Sequence, residues 1–213
     1  MVVITSHMKQ TIVSLDLEGV LVPEIWIAVA EKTGIEALRR TTRDEPDYDL
    51  LMRSRLDIMR ENDLKLSDIQ DVIASLSPLE GAKDFLDELR AQTQVVILSD
   101  TFVQFANPLM RQLDWPAIFC NHLEVSDDVV VNYHLRQPAQ KRQSVLAFKS
   151  LNYPIIAAGD SYNDTTMLAE ADAGILFHAP QNVINEFPQF PAVHTYEDLK
   201  KEFIKASNRD LTL

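Results

Sequence analysis

The sequence holds a single cysteine, Cys120, in 213 residues. One thiol rules out an internal disulfide and any multi-cysteine zinc cage. Long apolar stretches are missing as well. Ile25–Ala30 and Val95–Leu98 are among the longest, far short of the ~20 residues a membrane span needs. Basic charge is scarce: 20 Lys and Arg stand against 32 Asp and Glu, for a formal charge of −12. A protein that neutralises nucleic-acid phosphates carries the opposite balance, so neither a membrane nor a nucleic acid is the expected partner. Met1 to Gln10 has no arginine-rich amphipathic pattern and no apolar signal core, which makes the cytoplasm the expected compartment; Ser6-His7-Met8 is assigned no function. There is no Gly-x-x-x-x-Gly-Lys-[Ser/Thr] to cradle ATP. Asn163 stands where a nucleophile elbow starting at Gly159 would need glycine, against a serine hydrolase. His7, His122, His134, His178 and His194 show no ligand spacing and read as surface or core residues.

What is present is an ordinary globular balance of 46% hydrophobic and 24% charged residues, enough for one domain with room for an insertion. Short apolar runs at 11–17, 95–98, 155–158, 174–177 and 192–194 predict strands. Helical stretches at 81–91, 102–113, 141–151, 165–171 and 197–206 lie between and after them. This alternation predicts an α/β fold: a doubly wound, Rossmann-like parallel sheet with helices on both faces. Residues 24–76 contain no convincing strand and read as three helices, 24–33, 48–61 and 67–76, the last with Ser67 and Gln70 at capping-box spacing. They form a helical cap over 23–76, inserted into a core made of 1–22 and 77–213. A hairpin is expected over 120–135, turning at Ser126-Asp127-Asp128. Cys120 is then a small buried hydrophobe at a strand end. Phe187–Pro191 reads as a loop, and the apolar stripe at Trp26 and Val29 as cap packing.

Three strand ends carry polar residues. Asp16-Leu17-Glu18-Gly19 follows the first strand, and is either a solvated turn or a pair of working carboxylates. Ser99-Asp100-Thr101 follows the second, and is either a helix N-cap or an anion-binding helix start. Gly159-Asp160-Ser161-Tyr162-Asn163-Asp164 follows the third, with acids at i and i+4 that can converge on one cation. Lys141 and Arg142 open the preceding helix. In a parallel sheet these strand ends share one crevice.

The order Asp-x-Glu-Gly, Ser-Asp-Thr, Lys, Gly-Asp-x-x-x-Asp resembles the haloacid dehalogenase-like phosphatases over nearly the whole chain after residue 11. The insert after the first motif is similar to that of the phosphoserine phosphatase branch. The stretches Asp16–Trp26, Gly159–Leu168 and Phe187–Leu199 look like the bacterial subgroup that also passes phosphate from phosphoserine to homoserine. The resemblance implies an aspartyl-phosphate mechanism. Asp16 is the nucleophile, with Mg2+ held by Asp16, the Glu18 carbonyl, Asp160 and Asp164, the last directly or through water. Glu18 is general acid and base, one methylene longer than the Asp of most members; this length is expected to favour an alcohol acceptor over water. Lys141 steadies the phosphoryl charge, while Ser99 and the Asp100 N–H hold a phosphate oxygen. Asn163 contacts the substrate, Arg55 its carboxylate and Glu24 its ammonium, with Arg53 the alternative to Arg55. The implied small molecules are phosphoserine and homoserine; a homodimer is left open.

Overall fold

The computed structural model describes residues 10–42, 44–45, 47–207 and 211–213; Ser6-His7-Met8 lies outside them. Seven strands form one sheet: β1 (Ile12–Leu15), β2 (Gln94–Phe102), β3 (Ala117–Ser126), β4 (Val129–His134), β5 (Ile155–Gly159), β6 (Ala173–Phe177) and β7 (Ala192–Val193). Their spatial order is β4-β3-β2-β1-β5-β6-β7. Every pairing is parallel except β3 with β4. The helices are α1 (Ile25–Thr33), α2 (Tyr48–Glu61), α3 (Leu66–Ala74), α4 (Ala82–Arg90), α5 (Val103–Gln112), α6 (Gln140–Ser150), α7 (Thr165–Glu170), α8 (Gln181–Glu186) and α9 (Tyr196–Ala206).

The near-continuous apolar strands resolve into two faces with a period of two. Val13, Leu15, Val95, Ile97, Ile156, Ala158, Ile175 and Phe177 join one core, closed by Phe85, Leu86 and Leu89 of α4 and Leu199 and Phe203 of α9. Ile12, Leu98, Ile155, Ala157 and Leu176 join the other, closed by Val145 of α6, Met167 and Leu168 of α7 and Val183 of α8. The chain runs outward from β1 to β2 and β3, then crosses back to β5 on the far side. That reversal opens a crevice at the carboxyl ends of β1, β2 and β5. The segment holding α1, α2 and α3 leaves the sheet at the end of β1, with Trp26 edge-on to Phe105 of α5 at 5.4 Å. Most of its buried apolar residues, among them Ile25, Val29, Met52 and Ile69, continue the first core. Among the described residues no helix is long and apolar enough to cross a membrane.

Several local expectations are corrected. Ser99-Asp100-Thr101 is not a helix N-cap: β2 runs on to Phe102, which pairs with Asn121 of β3 across a register shift. The capping box of α3 is not built on Ser67 and Gln70. Asp68 accepts the Lys65 N–H at 2.8 Å, while the Ser67 N–H and hydroxyl go to the Asp128 carboxylate, and Gln70 donates to the Gln104 carbonyl. The hairpin forms as expected, with Asp127 and Asp128 at φ 48° and 66°, but β3 begins at Ala117. Cys120 therefore lies inside the strand, buried, and burial pushes its thiol up to about 11, too high for a neutral-pH nucleophile. The short α8 and the turns Glu36–Arg39 and Tyr162–Asp164 had no periodic signal of their own.

Candidate active site

Asp16 follows the last residue of β1 and is held there by its N–H, which donates to the Ala158 carbonyl at 2.9 Å. Its Oδ1 accepts the Leu17 N–H at 2.8 Å and lies 2.9 Å from Lys141 Nζ. The same ammonium reaches Asp164 Oδ1 at 2.7 Å and Asp100 Oδ2 at 3.8 Å. Asp16, Lys141, Asp160 and Asp164 are all buried. One ammonium thus serves several carboxylates in a low-dielectric corner. Burial and the Asp164 charge push the Asp16 carboxyl well above its usual range. Burial, Asp164 and Glu24 raise Asp160 to about 7. For Lys141, burial works to lower the ammonium, but the charges of Asp16, Asp164 and Asp100 outweigh it and hold it well above its usual value.

Ligand oxygens of Asp16, Asp160 and Asp164 lie within 4.8 Å of one another. Three hard oxygen donors with a surplus of negative charge suit a divalent cation, so the residues present fit one. They are not equivalent, however. Asp164 Oδ2 already accepts the N–H groups of Asp160 and Ser161, at 3.0 and 3.1 Å, and the Ser161 hydroxyl at 3.2 Å, while Oδ1 holds Lys141. Two glycines make the room. A Cβ on Gly159 would lie 2.4 Å from the Asp164 Cγ, and one on Gly19, at φ +75°, 2.4 Å from Asp160 Oδ2.

Glu18 points at the helical segment: its Oε2 accepts the Ile25 N–H, at the start of α1, at 2.8 Å. Burial and the neighbouring Glu24 raise its carboxyl to about 7. Arg55 of α2 is buried. Its guanidinium lies 4.5 Å over the Trp26 ring, Nη2 donates to the Arg40 carbonyl at 2.8 Å, and Nε has no hydrogen-bond partner. Burial brings it down to about 10. Arg53, the alternative, sits on the exposed face of α2, paired with Asp49 at 2.7 Å. Asp16, Glu18, Glu24, Arg55, Ser99, Asp100, Lys141, Asp160 and Asn163 line one cavity of about 520 Å³. Asp164 is buried outside this lining, bonded to Lys141 Nζ at 2.7 Å. Asp100 Oδ1 accepts from Gln140 at 3.0 Å and Oδ2 from Asn163 at 3.1 Å. Burial would raise this carboxyl, yet Lys141 and these two amides hold it below its usual value.

Sequence reasoning missed Tyr48, Gln140 and Asn121, which also line the cavity, and gave Trp26 a packing role only. None sits at a strand-end motif. Tyr48 stands at the first position of α2, and Gln140 directly precedes Lys141, which is the single signal that pointed toward it. The four described histidines form two ring pairs, His122 with His134 at 5.0 Å and His178 with His194 at 6.0 Å, and none of the four lines the cavity.

Comparison with known proteins agrees with this architecture. Phosphoserine phosphatase ThrH of Pseudomonas aeruginosa is 71% identical over 203 residues, covering 95% of this chain and 99% of that one. A phosphoserine phosphatase of Pseudomonas syringae is also 71% identical, covering 95% and 86%. Among solved structures, a substrate-bound phosphoserine phosphatase complex superposes with a TM-score of 0.76 at 21% identity, covering 91% and 98%. An aspartyl-phosphate analogue of a phosphoserine phosphatase gives 0.76 at 20% identity, covering 91% and 99%. The haloacid dehalogenase-like hydrolase family matches residues 11–172. With its aspartate, serine and lysine motifs gathered at one crevice, the chain belongs to the haloacid dehalogenase-like hydrolases.

Proposed function

We propose that this protein is a Mg2+-dependent phosphoserine phosphatase that also transfers phosphate from phosphoserine to homoserine, in serine and related amino-acid biosynthesis in the cytoplasm. One observation carries the reading. Asp16, flanked by Lys141 and Asp160, faces a cavity that also holds a buried guanidinium and Glu24. That pairing of charges matches a phosphate on an amino acid. The 71% identity to two proteins named phosphoserine phosphatase supports the same substrate. Asp16, Asp160 and the Glu18 carbonyl would hold the cation, which would neutralise phosphate charge. Asp164 acts through Lys141 and the Asp160 N–H, its oxygens being engaged there.

In the first step Asp16 Oδ2 attacks phosphorus, because Oδ1 is held by Leu17 and Lys141. The bond to the serine oxygen breaks, and Glu18 gives that oxygen its proton. In the second step water or the homoserine hydroxyl attacks the phosphorus of the aspartyl-phosphate. Glu18 takes its proton, and the bond to Asp16 breaks. A carboxyl near 7 suits both transfers, since an acid–base group works best with a pKa close to the working pH. Residues 23–76 act as a cap that keeps bulk water from the intermediate, and Arg55 and Glu24 orient the substrate.

The test is incubation with phosphoserine, homoserine and Mg2+, measuring phosphate and phosphohomoserine separately. Both products are expected. Asp16→Asn should lower their formation by at least about a thousandfold, and retained turnover would overturn the nucleophile. Glu18→Asp should shift the ratio toward free phosphate; an unchanged ratio removes the role of the longer arm.

A further inference from the structure

In the Ser99–Thr101 stretch of β2, three backbone polar atoms are each held by a side chain. The Asp100 carbonyl accepts two, from the Tyr48 hydroxyl and from Asn121 Nδ2, each at 3.1 Å; a carbonyl oxygen has two lone pairs. The Ser99 carbonyl accepts Gln140 Nε2 at 2.6 Å. The Thr101 N–H donates to Ser99 Oγ at 3.2 Å. Ser99 Oγ thus acts as acceptor toward Thr101, and no hydrogen bond among the described residues takes its own proton. That proton is available to an anion in the cavity.

The orientation of the two amides is also assigned. The Arg136 N–H donates to Asn121 Oδ1 at 3.0 Å and Arg136 Nε to Gln140 Oε1 at 3.2 Å. With their oxygens so occupied, the donor ends of both amides must face Ser99 and Asp100. Arg136 is itself seated, 5.0 Å over the Phe119 ring and bonded to Ser144 Oγ at 2.9 Å.

We propose that Tyr48, Asn121 and Gln140 are positioning residues that aim the Ser99 hydroxyl at the phosphoryl oxygen. The inference rests on the phosphoryl-transfer reading of this site. Preorganised donors act without reorganising during reaction, so a loosened Ser99–Thr101 stretch weakens anion binding while leaving recognition of the amino-acid end intact. Tyr48 belongs to α2, so the anion cradle is completed by the helical segment and not by the sheet alone.

The test is calorimetric titration of the Mg2+-loaded protein with orthovanadate, a phosphoryl mimic, and separately with L-serine. Tyr48→Phe keeps the ring that lies edge-on to Tyr133 at 6.0 Å and removes one donor. It should weaken vanadate binding about three- to tenfold and change L-serine binding less than twofold. Asn121→Ala should act likewise. The double variant should lose more than the product of the two, since either donor alone still restrains the shared carbonyl. Undiminished vanadate binding by Tyr48→Phe overturns the inference. So does an equal loss for both ligands, which marks Tyr48 as packing, or a strictly multiplicative double variant. If Asn121→Ala does not fold, the two titrations of Tyr48→Phe decide alone. Absence of vanadate binding by the unaltered protein overturns the phosphoryl-transfer reading itself, and the inference with it.

Discussion

Two arginines separated by one residue show how much a side chain's direction decides. Arg53 and Arg55 are both on α2, yet Arg53 pairs with Asp49 in solvent and Arg55 is buried over Trp26. Exposed pairs contribute little, whereas a charge-assisted contact to a substrate carboxylate in a desolvated pocket is worth roughly 1.5–3 kcal/mol. Arg55→Ala is therefore expected to raise KM for phosphoserine about ten- to a hundredfold, and Arg53→Ala to leave it within about twofold. Steady-state kinetics on the two variants checks this; equal effects would remove Arg55 from the carboxylate. The two residues look alike in the sequence. Helical spacing puts them about 200° apart, but which of the two faces turns inward depends on what packs beside α2.

The elements were legible where pattern and chemistry coincide. β1, β5 and β6 are apolar runs ending in polar residues, and they form almost where they are expected. The end of β2 past Leu98 is not legible as strand, because Ser, Asp and Thr favour helix starts, a local preference that pairing of Phe102 with Asn121 overrides. The loop after β1 turns on Gly19, where the positive φ and the contact with Asp160 leave no space for a Cβ. Gly19→Ala is expected to displace the Asp160 carboxylate and weaken Mg2+ binding about tenfold or more, while the sheet persists. Titration of Mg2+ with circular dichroism as the fold control checks this, and unchanged affinity would separate Gly19 from the cation site.

Over the whole molecule, the buried carboxylates are expected to make stability depend on a bound cation and on pH together. The Asp160 carboxyl is raised to about 7 without metal. A group raised on folding stabilises the fold in its protonated form. That contribution is complete below the unfolded value near 4 and is lost as pH rises through about 7. The metal-free protein should therefore lose Tm between pH 5 and 8. Mg2+, which takes the ionised oxygens, should raise Tm more at pH 8 than at pH 5.5. Thermal unfolding with and without Mg2+ at the two pH values measures this, and a gain independent of pH would place the cation elsewhere.

Most of the proposed catalytic set was legible in the linear chain: Asp16, Glu18, Ser99, Lys141, Asp160 and Asp164 stand at or near the ends of strands or at the start of a helix, and a parallel sheet brings such ends together. The bracing residues were not. Tyr48, Asn121, Gln140 and Arg136 meet across up to 92 positions, from Tyr48 to Gln140, and their hydrogen bonds follow no period. Strand ends are placed by backbone pairing, which apolar alternation encodes locally. The partners of a buried polar atom are chosen by whichever donor the packed core delivers, and only the folded chain makes that choice.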